Sequence, residues 1–512
     1  MQPPILSRRA FLANAGLAAL ALRTRGLYAL ASSSSVTVRT PSGTLRGEQS
    51  GGVRIFRGIP FAEPPVGLLR FHAPVKMKPW AGERDAVQFA ASAMQTGEPG
   101  VRHSEDCLYL NLWAPNGKGP FPVFVWVHGG GFTGGYSFDP MCDGTAMAEA
   151  GILCVSVEYR LGVFGFLDVE PLLGAEFAGS ANNGLRDLIA ALEWVRENIA
   201  AFGGDPSRVT VGGQSAGAKL TDILLGIPSA RPLFHQATSE SGGAERVASR
   251  AESAAVAHGF EEAWHTNAAT ETSSLLTAPA SALIEVQHHF LQQWPKHFPL
   301  RVEVDGSLMP LRPIETITAG SSRGKRLLIG TNRDESAAFI GPHPLKDPGA
   351  ADLGNMQLSR FAEVYRDYRE IYPQMTDEQR RIRALTAEEY WVPSMRVADA
   401  HLKGGGEAWV YRLDFAESSG NLRGNAYHSL DVPLVWNRPS TTVENASAEA
   451  ELARQVNHAW IAFLRGEAPQ SRDLPPWPKY RSDARPTMIF DTHSYVEEKP
   501  QEAELLLWNG VL

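Results

Sequence analysis

Arg208-Val-Thr-Val-Gly-Gly-Gln-Ser-Ala-Gly-Ala-Lys219 carries a short β-branched run into the turn Gly213-Gln214-Ser215-Ala216-Gly217 and then into an apolar segment at 220–225. This is a G-x-S-x-G turn in the strand-turn-helix setting that such a turn needs. The turn is so tight that a side chain two residues before or after Ser215 would strike the neighbouring strand or helix, which is why glycine stands at both places. Ser215 is thereby exposed in a strained backbone conformation with its hydroxyl near a helix N-terminus, where developing negative charge is favoured. A nucleophilic serine is the reading that uses all of these features, whereas a structural Gly/Ser turn uses none.

Working outward, apolar β-branched runs at 123–127, 152–157, 209–211, 325–329, 408–413 and 488–490 read as strands. Residues 187–199 and 446–464 carry apolar positions at helical spacing. Strands interleaved with helices indicate an α/β fold around a mostly parallel sheet. The stretches 243–320 and 340–400 are poor in strand runs and are expected to form helical caps over the strand ends. No repeat or low-complexity linker divides the chain after residue 32, so 32–512 reads as one domain.

A serine needs a base, and the base needs an acid that fixes its tautomer and stabilises its cation. Both are expected after the serine, acid first. The run Leu328-Ile-Gly-Thr-Asn-Arg-Asp-Glu-Ser336 ends a strand in a loop carrying two acids, Asp334 and Glu335, and either suits the role. His428, in a loop after the 408–413 strand, is the base candidate. His458 falls in mid-helix, His288 and His289 in a cap stretch, and His103 and His235 at unsuitable places in chain order. Upstream, His128-Gly-Gly-Gly-Phe132 follows a buried strand. Its glycines suit backbone N–H groups turned toward one point, an oxyanion hole to which Ala216 adds a further N–H. His128 reads as a structural anchor of that loop.

Composition excludes other classes. The 512 residues carry 48 Lys+Arg against 56 Asp+Glu, a formal charge of −8. The first 31 residues hold Arg8, Arg9, Arg23 and Arg25 and no acid, so without them the charge is −12. A polyphosphate partner needs a positive field, and nucleic acid is therefore not expected. Three cysteines without metal-ligand spacing, and the absence of HExxH, P-loop or EF-hand patterns, predict no metal and no cofactor. Residues 1–31 combine paired arginines, a greasy stretch of about 13 residues, too short to span a bilayer, and Ala29-Leu-Ala31 before a serine run. They read as a cleaved twin-arginine-type signal, giving an exported, periplasmic or extracellular protein without a stable membrane anchor.

Several further segments resemble the type-B carboxylesterase/lipase family: Phe56-Arg-Gly-Ile-Pro-Phe-Ala-Glu-Pro-Pro-Val-Gly67 with Arg70-Phe71, Ser104-Glu-Asp-Cys-Leu-Tyr-Leu-Asn111, Phe202-Gly-Gly-Asp-Pro206 and Trp477-Pro-Lys-Tyr480, with the elbow and the glycine loop. The resemblance implies an α/β-hydrolase fold with a large, mostly parallel central sheet and helical cap excursions. It also implies a secreted serine carboxylesterase acting on small-molecule esters through Ser215, Glu335 and His428. Gly130, Gly131 and Ala216 match its oxyanion donors, Ser241 a serine that supports the triad, and Arg70 with Glu105 a structural ion pair. The chain departs from the pattern at Gln214, where most members carry Glu. It departs at Cys107, whose usual partner position reads Ala93-Met-Gln95, so a free thiol is expected. It departs at Ile189, which leaves Asp205 without its usual arginine, and at Gly243-Ala-Glu-Arg246, which replaces a common pocket segment. A binding protein that has lost catalysis would share the scaffold, and the intact triad positions speak against it; an amidase or thioesterase would share the triad as well, separated only by leaving-group protonation and pocket shape.

Overall fold

The computed structural model describes residues 34–97, 100–268, 270–295, 298–340, 356 and 358–511. The signal expected at 1–31 lies outside the described residues, as does part of the 340–400 stretch. Among the described residues thirteen strands form one sheet. Its main strands in chain order are β1 (Ser34–Thr40), β2 (Gly43–Ser50), β3 (Val53–Pro60), β4 (Tyr109–Pro115), β5 (Phe121–Val127), β6 (Leu153–Val157), β7 (Gly204–Gln214), β8 (Gln236–Glu240), β9 (Arg326–Asn332), β10 (Glu407–Leu413), β11 (Thr487–Phe490) and β12 (Tyr495–Glu497). They lie side by side as β1-β2-β3-β4-β6-β5-β7-β8-β9-β10-β11-β12. The centre, from β6 to β11, is parallel, with antiparallel strands at both margins. This is the α/β-hydrolase arrangement anticipated from the sequence.

Each face of the parallel centre is buried, which explains the nearly continuous apolar runs. Along β5, Val123, Val125 and Val127 enter one core with helices α1 (Asn183–Asn198) and α2 (Ala216–Leu225), while Phe124 and Trp126 enter the other. Helices α3 (Arg250–Ala268), α4 (Ala280–Gln293), α5 (Leu358–Ile371), α6 (Asp377–Thr386) and α7 (Val392–Lys403) occupy the strand-poor stretches, and α8 (Ala446–Leu464) packs Leu452, Val456 and Trp460 into the second core. Fully burying one such side chain contributes roughly 1.5–3 kcal/mol. Among the described residues no helix is long and apolar enough to cross a membrane.

Five neighbouring strands, β5, β7, β8, β9 and β10, end at the same edge of the sheet. Their carboxyl ends lead directly into His128, Ser215, Ser241, the loop of Asp334 and Glu335, and the loop of His428. Parallel pairing thus gathers residues from distant parts of the chain at one place.

Candidate active site

The elbow is as constrained as its sequence implies. Ser215 has φ 57° and ψ −122°, a conformation that costs on the order of 1–3 kcal/mol and is held by its N–H donating to Glu240 O at 2.9 Å. A Cβ on Gly213 would lie 2.5 Å from the Val127 carbonyl oxygen, and one on Gly217 only 2.0 Å from the same atom. The end of β5 therefore fits between the two glycines.

That strand continues into the glycine loop. Gly130 (φ 116°) and Gly131 (φ 64°) take up conformations that disfavour side chains, and a Cβ on Gly130 would sit 2.0 Å from Gly134 O. Among the described residues the N–H groups of Gly130, Gly131 and Ala216 have no hydrogen-bond partner within the chain. His128 anchors the loop: its Nδ1 donates to Gly129 O at 2.8 Å, its carbonyl accepts the Tyr159 hydroxyl at 2.9 Å, and burial pushes its pKa down to about 4. Burial thus keeps this imidazole neutral and tied to the loop.

Glu335 and Asp334 point to different partners. The buried Glu335 carboxylate receives His428 Nδ1 on Oε2 at 2.6 Å, and the Ser241 hydroxyl (2.5 Å) and Asn332 N–H (2.7 Å) on Oε1. Asp334 instead accepts from Arg333 at 2.8 Å and from the Ala426 N–H at 3.1 Å. A carboxylate can only accept, so His428 Nδ1 carries the proton and Nε2 presents its lone pair. The side-chain amide of Gln214 meets that nitrogen at 3.2 Å. Among the described residues the Ser215 hydroxyl has no hydrogen-bond partner.

Sequence reasoning missed several neighbours. Tyr390 and Phe339 flank the His428 ring at centroid distances of 4.8 and 5.2 Å. Tyr390 comes from a π-helical turn, Ala387–Trp391, whose i→i+5 hydrogen bonding breaks the α-helical spacing and leaves no recognisable pattern. Asp431, three residues after His428, accepts from Tyr411 Oη (2.7 Å) and Asn332 Nδ2 (3.2 Å). Burial, and then the charge of Glu335, push it up to about 6. The Asn332–Glu335 and His428–Asp431 spacings around two loop tips were the signals available for Asn332 and Asp431.

The departures from the family pattern resolve locally. Cys107 is a buried free thiol. Asp205 takes the Ser207 N–H and hydroxyl at 2.9 and 2.6 Å in place of an arginine. Arg70 and Glu105 form a forked ion pair at 2.5 and 2.7 Å. Arg246 is buried, paired with Glu389, and stacked 3.8 Å over Phe298, whose ring would touch a Cβ on Gly131 at 3.0 Å. Of the remaining histidines, His103 is bonded to Ser92, His235 receives the Val209 N–H, and His458 is exposed on α8. Among the described residues no group of three or more His, Cys, Asp or Glu side chains could hold a metal ion.

Comparison with known proteins agrees with this geometry. The family model described as "Carboxylesterase family" matches residues 34–508. The chain is 34% identical over 485 residues to the para-nitrobenzyl esterase of Bacillus subtilis (strain 168), covering 91% of this chain and 96% of that protein. It is 33% identical over 466 residues to the fumonisin B1 esterase of Sphingopyxis macrogoltabida, covering 86% and 84%. Among solved structures, a PNB esterase (31% identity) and a Geobacillus stearothermophilus carboxylesterase (33%) each superpose with a TM-score of 0.81 over 92% of this chain and 99% of theirs. With matches that run nearly end to end in both sequence and structure, the chain belongs to the carboxylesterase family and is a carboxylic ester hydrolase.

Proposed function

We propose that the chain hydrolyses small-molecule carboxylic esters through an acyl-enzyme on Ser215, with His428 as base and Glu335 as its orienting acid. The observation that carries this reading is the 2.6 Å contact between Glu335 and His428 Nδ1, which puts the ring proton on Nδ1 and turns Nε2 toward the elbow, where the Gln214 amide meets it. In acylation, Ser215 Oγ bonds to the ester carbonyl carbon while its proton passes to His428 Nε2. The negative oxygen that forms is received by the N–H groups of Gly130, Gly131 and Ala216. The C–O bond to the alcohol then breaks, and His428 returns the proton to the departing oxygen. Water repeats the sequence: its proton goes to His428, its oxygen to the acyl carbon, and Ser215 leaves with the proton restored.

Relatives named for para-nitrobenzyl esters and for fumonisin B1 support a small-molecule ester as substrate. The paired arginines, greasy stretch and Ala29-Leu-Ala31 support export through a twin-arginine-type signal and work in the periplasm or outside the cell. The test is hydrolysis of para-nitrophenyl acyl esters, acetate through laurate, by the mature enzyme and by Ser215→Ala. Turnover by the wild type with a loss of several orders of magnitude in the variant supports the reading. Equal rates in the two proteins overturn it.

A further inference from the structure

The side chain of Gln214 lies between the proposed base and the glycine loop. Gln214 precedes Ser215 in the chain, and its Oε1 lies 3.1 Å from where a Cβ on Gly129 would stand, against the glycine loop. Its Nε2 is 3.2 Å from His428 Nε2. The hydrogen-bond network decides the direction of this last contact. His428 Nδ1 must donate to Glu335, so Nε2 in the neutral ring can only accept, and the amide N–H of Gln214 is the donor. The lone pair that has to take the Ser215 proton is therefore already occupied in the resting enzyme.

We infer that Gln214 is a positioning residue: its amide N–H donates to the Nε2 lone pair of resting His428 and fixes the ring in the tautomer whose Nδ1 proton lies on Glu335. The inference rests on the triad reading above and adds a role that the triad does not contain. An amide suits this task because it supplies an N–H donor without a charge. A carboxylate at the same place could only accept, and would favour the cation at all times. A thioether could do neither. The other groups facing His428 are Glu335 at Nδ1, Asp431 on its own loop with Glu240 behind it, and Tyr390 against the ring with the Lys219 ammonium 4.9 Å over its far side. None of them reaches Nε2, so substitution of Gln214 leaves them in place.

The test compares kcat/KM against pH for para-nitrophenyl butyrate in the wild type, Gln214→Met and Gln214→Glu, with Ser215→Ala as the blank. The acid limb is expected at the lowest pH in the wild type, higher in Gln214→Met, which loses the donor, and higher again in Gln214→Glu. The shift in Gln214→Glu is expected to be about one pH unit or more, the size for an opposite charge within hydrogen-bonding range. An acid limb in Gln214→Met at or below that of the wild type, or no shift in Gln214→Glu, overturns the inference while the esterase reading stands. Equal rates in wild type and Ser215→Ala would instead overturn the triad reading itself. If neither Gln214 variant folds, nitrogen NMR of the histidine-labelled wild type decides. A His428 Nε2 that is unprotonated and shifted by an accepted hydrogen bond supports the inference; a protonated or unbonded Nε2 overturns it.

Discussion

Ser241 donates its hydroxyl to Glu335 Oε1 at 2.5 Å, on the carboxylate oxygen that His428 leaves free. The donor is itself fixed, with φ 60° and its N–H on Gly330 O at 2.8 Å. Together with the Asn332 N–H it saturates one oxygen and so aims the other at the imidazole. Hydrogen bonds to a charged group contribute roughly 1.5–3 kcal/mol. Ser241→Ala is accordingly expected to lower kcat by about 10- to 100-fold with little change in KM, measured by steady-state hydrolysis of para-nitrophenyl butyrate.

Glu335→Gln should do more damage than its near-identical shape suggests. Ser241 and Asn332 both require an acceptor, so the amide oxygen is held on their side and the NH2 faces His428 Nδ1. That face donates, which favours the tautomer with its proton on Nε2, and the base is lost. A fall in kcat of about 10⁴ with an unchanged melting temperature is expected. A variant retaining a tenth of wild-type activity would contradict it.

Gly131→Ala places a methyl group 3.0 Å from the Phe298 ring at a residue with φ 64°. Either the ring or the loop must give, and the loop carries one of the N–H groups proposed to receive the oxyanion. Loss of one such donor costs about 10²–10³ in kcat. The expected result is a loss near the lower end of that range, with KM nearly constant and thermal stability reduced only slightly.

Glu158 offers a pH experiment remote from the triad. It is fully buried, receives the Ser137 N–H at 2.7 Å, and burial pushes its carboxyl up to about 7 from 4.5. Between these values the folded protein keeps the proton and the unfolded chain releases it, so the group's stabilising effect is full below pH 4.5 and is lost as pH rises through 7. Glu158→Gln keeps the acceptor for Ser137 and removes the titration. Urea unfolding at pH 5 and pH 8 should show the variant gaining on the wild type by up to about 3 kcal/mol at the higher pH. The opposite trend would contradict the assigned cause.

How much was readable beforehand depended on how local the information is. Helix α8 matches the sequence-based span residue for residue, because its apolar spacing and the Arg465-Gly466 that closes it directly afterwards are both local. Strand β7 is longer than the 209–211 run, since Gly204 pairs with Phe121 across a bulge at 205–208 and Gly212–Gln214 continue the pairing at the other end. The glycines around Ser215 announced a tight turn. What they make room for, the Val127 carbonyl, belongs to another strand. The residues alone leave Asp334 and Glu335 open and the family resemblance picks Glu335; the physical reason, Arg333 and Ala426 on Asp334, lies in the fold. Tyr390, Phe339 and Phe298 arrive at the site from far along the chain, on a π turn, a short helix and a loop without periodicity, and nothing local marked them.

The strand order that gathers the site also sets when it can exist. His428 enters after β10, 214 residues beyond its neighbour Gln214. A chain emerging N-terminus first can build β5 to β8, with elbow and glycine loop, before β10 is available to dock. On the triad reading, Ser215 then stands without its base, and a chain truncated before β10 is expected to be silent toward esters, so that activity would report completion of the sheet as well as the presence of the nucleophile.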